Sequence, residues 1–368
     1  MLDRAALLAQ MQHNSDLLFK KPAQHTQEVE RIWHQLSNDT IFLERVSVWQ
    51  GQWSVPLWSG NVSQTHLVTQ PFDQTYSIGS IDGSQIYPDR HEGANCFLIN
   101  IGQVIFNYSD QRSHFSGSST PFLFTPQASE VEPTSDWVNA KRQELEFEAA
   151  LALAQGEERI ILFDGSLIFW HLQGKTDQES KKFIERYIAL LMQFYEHKCM
   201  IAGYISLPHG RELVNIVRLW LSVREPLFLQ KQPPLLMHLL DLHIVRFLLP
   251  SGYRTILFRS RSAMTEEYPA AVQPYFFYLN NGYEIVRVEI PAWIAQNGIL
   301  IERLGSLIMD QSQKGKGYPL AIAEAHEQAV VKGADRDFFY QALSRMSIQE
   351  KCFFVPSYKI IRKRYAGF

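Results

Sequence analysis

The chain has 368 residues, a net charge of −3, 46% hydrophobic residues and 20% charged residues. This composition is typical of a globular protein with ample apolar material for a core, and the length allows two ordinary domains or one large domain with additions. Because the chain has no overall basic field, any contact with nucleic acid must depend on local basic patches. Three widely separated cysteines, Cys96, Cys199 and Cys352, argue against a disulfide framework or a structural zinc site and favour a reducing cytoplasm.

Membrane insertion and secretion are both disfavoured. The longest apolar stretch, residues 235–249, is interrupted by two histidines, an aspartate and an arginine, so it does not suit a bilayer-spanning helix. Residues 1–21 have the pattern of an amphipathic helix and lack the apolar block of a signal peptide. We therefore expect a cytoplasmic protein that makes no membrane contact.

The first 74 residues are predicted to form an N-terminal unit of helices and a small β-rich segment. Apolar residues at helical spacing predict two helices within residues 1–43. Residues 46–67 are β-like and rich in tryptophan, with glycine and serine between the short runs, which predicts an appended small sheet.

The central part of the chain alternates strands and helices in an informative order. A strand is expected to end at Asp82, and a long helix and a second strand follow a loop rich in serine, proline and glycine. The predicted elements are strands at 75–82, 96–99 and 104–108 with a turn at Gly102, a loop at 109–134, a helix at 135–155, a strand at 160–163, a helix at 178–197 and a strand at 200–205. The order β-β-β-α-β-α-β matches the ribonuclease H-like topology, in which the first and fourth strands are neighbours at the sheet centre.

The remainder of the chain is mixed. We expect an apolar helix at 234–249, strands at 254–258 and 285–290, and a late helix beginning at Tyr318 and Pro319. The predicted fold is α/β, with a ribonuclease H-like mixed sheet flanked by helices over residues 75–345. Residues 346–368 are predicted to be a basic C-terminal extension.

Two copies of an Asp-Gly-Ser pattern, at Asp82 and Asp164, follow apolar runs. Asp-Gly is common in simple turns, so one copy alone says little. Two copies, separated by a helix and placed on neighbouring strands, predict two carboxylates aimed at one spot. Such carboxylates repel each other unless a cation lies between them. The pattern therefore indicates a divalent-metal site and phosphodiester chemistry.

A third carboxylate is expected from the helix at 135–155. Glu144 and Glu148 share one helix face, whereas Glu146 lies on the apolar stripe that faces the sheet. A glutamate on such a stripe is costly unless it meets a cation, so Glu146 is the favoured ligand. The alternative is a glutamate favoured by the helix dipole or one that reaches the surface.

The late helix contributes a candidate fourth ligand, His326. A single histidine on an apolar stripe is commonly a core residue, but the final helix of a ribonuclease H-like fold commonly delivers a metal-site residue. Glu324 and Glu327 are rivals for this role. Another candidate metal site, at His238, Asp241 and His243, is disfavoured because the two histidines face different sides of a helix.

Assembled in order, these motifs make the chain similar to the NurA nuclease family from about residue 75 to residue 340. The matching pieces are Ile81-Asp82-Gly83-Ser84, Arg142-x-x-Leu145-Glu146, Leu162-Phe163-Asp164-Gly165-Ser166-Leu167, Gly203-Tyr204-Ile205, Arg287-Val288-Glu289-Ile290-Pro291, and Gly317-Tyr318-Pro319 leading into Ala325-His326. Unlike the family pattern, no basic residue follows the strand that ends at Ile205; the sequence there is Ser206-Leu207-Pro208.

The resemblance implies a metal-dependent DNA nuclease with 5′-to-3′ exonuclease and single-strand endonuclease activity. It also implies a homodimer that docks on a HerA-like hexameric ATPase in DNA-end processing and double-strand break repair. By the family pattern, Asp82, Glu146, Asp164 and His326 correspond to catalytic metal-site residues. Two manganese or magnesium ions would be held there, and an imidazole ligand favours manganese.

Three other functions are compatible with the same residues. The chain could be a scaffold that binds DNA or a motor ATPase, a ribonuclease H-like nuclease that acts on RNA, or a phosphatase that acts on small phosphoesters. The intact acidic set argues against a scaffold, and a substrate panel separates the other two. No nucleotide-binding loop is evident, so a separate motor would have to feed DNA to the enzyme.

Overall fold

The structure is a computed structural model that describes residues 2–15, 23–51, 53–69, 75–88, 96–109, 112–125, 134–154, 159–172, 174–175, 177–224, 236 and 238–349. The helices are α1 (Arg4–His13), α2 (Ala23–Ser37), α3 (Thr40–Ser47), α4 (Ser135–Ala154), α5 (Gln178–Glu196), α6 (Glu212–Arg224), α7 (Asp241–Leu248), α8 (Ala292–Ala295), α9 (Gly298–Lys314), α10 (Leu320–Ala329) and α11 (Gly333–Gln349). The strands are β1 (Leu57–Trp58), β2 (Thr65–Leu67), β3 (Tyr76–Ile86), β4 (Phe97–Tyr108), β5 (His114–Phe124), β6 (Arg159–Asp164), β7 (Met200–Ile205), β8 (Tyr253–Thr255), β9 (Phe258–Arg259), β10 (Pro274–Asn280) and β11 (Ile285–Pro291).

The strands form one mixed sheet in the order β1-β9-β10-β11-β7-β6-β3-β4-β5. Strands β3, β6 and β7 run parallel, whereas β4 and β5 are antiparallel additions beyond β3. This half of the sheet has the ribonuclease H-like topology, and β3 and β6 are neighbours at its centre, as predicted. The predicted fold class is therefore confirmed.

Both faces of the sheet are covered by helices. Helices α4 and α5 pack on one face over a core that includes Phe147, Phe163 and Tyr187. Helices α9 and α10 pack on the other face against residues such as Leu162 and Val288. A third apolar cluster joins α2, α6 and α7 to β9 and β10. The parallel strands are buried on both faces, which explains their nearly continuous apolar sequences.

Two predicted strand boundaries around the first Asp-Gly-Ser copy are wrong. Strand β3 continues through Asp82 to Ile86, and Asp82 pairs with Gly102 of β4. Gly102 is not a turn but the middle of one continuous strand, β4. A Cβ atom on Gly102 would lie 2.3 Å from the Ala329 amide nitrogen, so the glycine is required because α10 crosses the strand there.

The predicted loop at 109–134 is also corrected, because it contains strand β5. This strand pairs with β4 from Phe97 to Asn107. Its sequence is rich in serine, glycine and threonine, and most of its residues are exposed. The last strand of the described sheet can be polar because one side of it has no neighbouring strand within the described chain. Its polar composition is also typical of a loop, so the sequence alone predicted a loop here.

The other elements follow the predictions with smaller differences. Helices α4 and α5 and strand β7 lie where expected, and α10 begins directly after Pro319. Strands β1 and β2 pair with β9 and β8 of the main sheet, so the tryptophan-rich segment does not form a separate sheet.

The N-terminal helices and the later segments differ in their bounds. The described part of residues 1–74 contains α1, α2 and α3, where two helices were predicted, and residues 254–258 are divided between β8 and β9.

The predicted helix at 234–249 begins at Asp241, with residues 234, 235 and 237 outside the described chain. Helix α11 continues through the predicted boundary at 346. Cys352 and the basic end of the chain lie outside the described residues. Within the described ranges, no helix is both long enough and apolar enough to cross a bilayer.

Candidate active site

Asp82 and Asp164 occupy equivalent positions on the two central parallel strands. Ser80 pairs with Leu162 and Ile81 with Phe163, so the next residue on each strand is an aspartate. Adjacent strands are separated by about 4.8 Å, and register places both side chains on the same sheet face. Burial raises the pKa of Asp164, and the charge of Asp82 raises it further. The prediction that the two aspartates are neighbours on adjacent strands is therefore correct.

The two Asp-Gly-Ser copies have different local structures. Asp164 ends β6, and Gly165 follows with φ +119°, which is the predicted strand end and glycine turn. In the first copy the strand continues, and Ser84 Oγ donates a hydrogen bond to the Ala329 carbonyl oxygen at 2.5 Å. The first copy thus fixes the end of α10, whereas the second redirects the chain.

His326 reaches Asp82 from α10. Its Nδ1 atom lies 2.7 Å from Asp82 Oδ2, and the imidazole is exposed over 56% of its surface. Two contacts with β4 fix the position of α10. Gly102, which pairs with Asp82, has no side chain and so lets the helix approach the sheet closely. Asn100 Nδ2 donates a hydrogen bond to the Ala329 carbonyl oxygen at 2.8 Å. Of the rival residues, Glu327 forms a surface ion pair with Lys332.

Glu146 approaches the same strand from helix α4. A Cβ atom on Gly83 would lie 2.5 Å from Glu146 Oε1, so the glycine leaves the space that the carboxylate occupies. The Glu146 carboxylate therefore lies against β3 at the residue that follows Asp82. Arg142 forms an ion pair with Glu146 and donates a hydrogen bond to the Gly83 carbonyl at 3.2 Å.

The electrostatic environment of Glu146 links it to the aspartates. Its side chain is 12% exposed, and burial raises its pKa to about 7. Arg142 lowers this pKa, whereas the charges of Asp82 and Asp164 raise it. By contrast, Glu144 and Glu148 on the same helix form ion pairs with Arg186. The structure therefore places Glu146, and not its two neighbours, within the field of the aspartates.

Tyr318 is a site residue that the sequence reasoning missed. Its hydroxyl donates a hydrogen bond to Asp164 Oδ1 at 2.8 Å. Its ring packs edge-on against Tyr204, with the centroids 5.4 Å apart. Burial and the Asp164 carboxylate raise the pKa of Tyr318, so it remains a hydroxyl donor at neutral pH. The Gly317-Tyr318-Pro319 motif, which is among the pieces similar to the NurA family, is a usable signal for this residue, although its local pattern indicates only the start of a helix.

The donor set fits a divalent cation in its chemistry. Three carboxylates and one imidazole supply hard oxygen ligands and one nitrogen, which suits manganese and magnesium. Among the described residues, no three acidic, histidine or cysteine side chains already form a group that could hold an ion. Asp82 pairs with His326, whereas Glu146 pairs with Arg142.

The second candidate site, around Asp241, has a structural role. Asp241 is fully buried and accepts hydrogen bonds from the Val214 amide and the Tyr278 hydroxyl. His243 Nδ1 accepts a hydrogen bond from the Leu240 amide. These contacts join α6 and α7 to the sheet.

The topology and the acidic cluster on the central strands define an α/β protein of the ribonuclease H-like class. The family model described as the NurA domain matches residues 76–331. The chain therefore belongs to the NurA family, a family of nucleases, and the resemblance inferred from its motifs is confirmed.

Solved structures and curated proteins provide two further comparisons. A structure described as NurA is 12% identical, with a TM-score of 0.40 and coverage of 87% of this chain and 97% of that chain. A structure of NurA with manganese is 13% identical, with a TM-score of 0.35 and coverage of 85% and 96%. A structure of NurA bound to dAMP and manganese is 12% identical, with a TM-score of 0.35 and coverage of 91% and 95%. No curated protein matches the chain significantly.

Proposed function

We propose that this protein is a metal-dependent deoxyribonuclease that hydrolyses phosphodiester bonds with two manganese or magnesium ions. The observation that carries the proposal is the adjacent placement of Asp82 and Asp164 at the centre of the sheet. Glu146 and His326 flank this pair from two helices. Family membership supports nuclease chemistry. Manganese is the cation to test first because NurA structures contain it.

The four residues would have different roles in binding the cations. Asp82 and Asp164 would contribute the shared carboxylates, with Glu146 and His326 as outer ligands. Bound cations would stabilise charge on the phosphate and lower the pKa of an attacking water. Tyr318 fixes the orientation of Asp164 through its 2.8 Å hydrogen bond.

Arg142 has a separate role before the cations bind. It compensates the charge of Glu146 in a buried position where an unpaired carboxylate would be costly. Its ion pair lowers the pKa of Glu146, whereas burial and the aspartates raise it, and the combined result is a pKa of about 7. Because carboxylate ligands bind cations in the ionised form, the Arg142 contact favours the form of Glu146 that is competent for metal.

The finer parts of the proposal come from the family resemblance. The activity would be 5′-to-3′ exonuclease and single-strand endonuclease cleavage in DNA-end processing and double-strand break repair. A cytoplasmic homodimer would act with a HerA-like hexameric ATPase, because the sequence contains no evident nucleotide-binding loop of its own. Helix α1 exposes Leu7, Leu8 and Met11, which makes it a candidate contact with the motor or the second subunit.

The decisive experiment is cleavage of single- and double-stranded DNA, labelled at either end, in the presence of manganese. We expect wild-type protein to degrade DNA and Asp82→Asn to lose this activity while keeping its fold. Asp136→Asn is the matched control, because Asp136 lies on the surface of α4 in an ion pair with Lys175.

Three results would contradict the proposal. Normal cleavage by Asp82→Asn would remove that residue from the site. Exclusive cleavage of RNA or of a chromogenic phosphomonoester would change the substrate class. Absence of cleavage with and without a HerA-type translocase, together with DNA binding, would establish the scaffold alternative.

A further inference from the structure

We infer that Glu289 is a positioning residue for Asp164, an inference that rests on the proposed function. Asp164 is the last residue of β6, and the chain turns immediately afterwards through Gly165, Ser166 and Leu167. Glu289 Oε2 accepts a hydrogen bond from Ser166 Oγ at 2.6 Å and another from the Leu167 amide at 2.9 Å. One carboxylate oxygen therefore holds the backbone that follows the candidate metal ligand.

A glycine on β7, the strand between β6 and β11, leaves room for this contact. Strand β7 lies between β6 and β11, and its Gly203 is paired with Glu289. A Cβ atom on Gly203 would lie 2.4 Å from the Gly165 carbonyl oxygen. The missing side chain at Gly203 therefore lets the turn after Asp164 pass over β7 and reach Glu289.

Glu289 is itself held rigidly by charged neighbours. It is completely buried, and its other oxygen, Oε1, accepts a hydrogen bond from Arg287 Nε at 2.8 Å. The Arg287 guanidinium also pairs with Glu212 and stacks 3.7 Å from the centroid of the Phe276 ring. Ser260 Oγ donates to the remaining oxygen of Glu212 at 2.8 Å. Every carboxylate oxygen of this buried group therefore has a partner.

The two hydrogen bonds from the turn explain why a carboxylate, and not an apolar side chain, suits position 289. A buried ion pair can often be replaced by apolar side chains without loss of stability. An apolar side chain at position 289 would leave Ser166 Oγ and the Leu167 amide without their acceptor. Asp164 is thus fixed from two directions, through its carboxylate by Tyr318 and through its following backbone by Glu289.

The test is a manganese titration of the full chain without DNA, in which electron paramagnetic resonance measures the free ion. Glu289→Gln keeps the size of the side chain but replaces one carboxylate oxygen with an NH2 group, which cannot accept a hydrogen bond. This NH2 group must therefore face a donor, either at Arg287 or in the turn after Asp164. We expect its manganese dissociation constant to rise about tenfold, as for other groups that orient metal ligands. Ser166→Ala, which removes one of the two bonds, should give a smaller increase.

Ser77→Ala is the matched control. Ser77 Oγ donates at 2.6 Å to Asn107 and accepts from Arg159 Nε at 2.9 Å. Ser166 Oγ similarly donates at 2.6 Å to Glu289 and accepts from the Ile168 amide at 3.0 Å. The control therefore loses equivalent hydrogen bonds on the same sheet without touching the turn, and its manganese affinity should stay at the wild-type value.

The outcomes separate this inference from the proposed function. If Asp164→Asn loses manganese but Glu289→Gln and Ser166→Ala bind it as wild type does, the positioning role is refuted and the metal site stands. If wild-type protein binds no manganese, both proposals fail. If Glu289→Gln does not fold, the test is the manganese affinity of Ser166→Ala compared with that of Ser77→Ala. Equal affinities of these two variants would overturn the inference.

Discussion

Substitution of Glu146 by glutamine should stabilise the metal-free protein while removing its ability to bind metal. The carboxylate is 12% exposed, and its pKa is raised from 4.5 to about 7. A raised pKa means that the folded state holds the proton more tightly than the unfolded state. The free energy of unfolding of the wild type should therefore decrease as the pH rises from about 4.5 to about 7, and remain lower above that range.

The size of this effect follows from the shift itself. A rise from 4.5 to about 7 corresponds to about 3 kcal/mol, at about 1.4 kcal/mol per pKa unit. Glutamine resembles the protonated carboxyl in shape and charge, and its oxygen can still accept a hydrogen bond from Arg142. We expect Glu146→Gln to be up to about 3 kcal/mol more stable than wild type at pH 8, with little difference at pH 4.5.

Urea unfolding of chelator-treated protein at pH 4.5, 6 and 8 measures this difference. Glu148→Gln is the matched control, because Glu148 lies on the same helix and forms a partly exposed ion pair with Arg186. Its effect should stay within about 0.5 kcal/mol at every pH. Added manganese should stabilise wild-type protein by mass action and leave Glu146→Gln unchanged.

Three results would contradict this reasoning. Equal or lower stability of Glu146→Gln at pH 8 would mean that the ionised carboxylate is not destabilising in the fold. A gain that is the same at pH 4.5 and pH 8 would mean that the stabilisation does not come from the charge. Stabilisation of Glu146→Gln by manganese would remove Glu146 from the set of ligands.

Three further predictions concern the same site. Gly102→Ala should lower the free energy of unfolding by about 2 kcal/mol, because the added Cβ atom meets the backbone of α10. Gly298→Ala, where a Cβ atom has no neighbour within 4 Å, should be neutral or stabilising in the same urea assay, and equal effects would contradict this view of α10. Tyr318→Phe removes the hydrogen bond to Asp164 and should raise the manganese concentration for half-maximal cleavage about tenfold; an unchanged value would exclude an orienting role. Cleavage should be faster with manganese than with magnesium, since His326 offers a nitrogen ligand, and equal rates would argue against this residue as a ligand.

The order of the central strands and helices could be predicted from the sequence because each element has a local signature. Apolar runs of strand length and helical spacing along α4 are short-range patterns, and they led to the correct ribonuclease H-like topology. The same spacing favoured Glu146 over Glu144 and Glu148, but Glu144 is also buried, so helix geometry alone does not separate the three residues. Two Asp-Gly-Ser copies on neighbouring strands were sufficient to place Asp82 beside Asp164.

The tertiary structure decided where glycine marks a turn and where it marks close packing. Gly165 has a positive φ and redirects the chain, as its sequence suggests. Gly102 and Gly83 lie within strands, where the absence of a side chain admits α10 and the Glu146 carboxylate. The sequence does not distinguish a glycine in a turn from a glycine at a close packing contact. The group that packs against the second kind of glycine comes from a distant part of the chain.

The contacts around the aspartates depend on the tertiary structure for the same reason. The hydrogen bond from Tyr318 to Asp164 joins residues that are 154 positions apart, and the contact between Ser166 and Glu289 spans 123 positions. No periodicity within one element predicts which distant side chain will be the partner. The sequence by itself therefore determined the fold class and the acidic residues at its centre, whereas packing between distant elements decided which groups orient them.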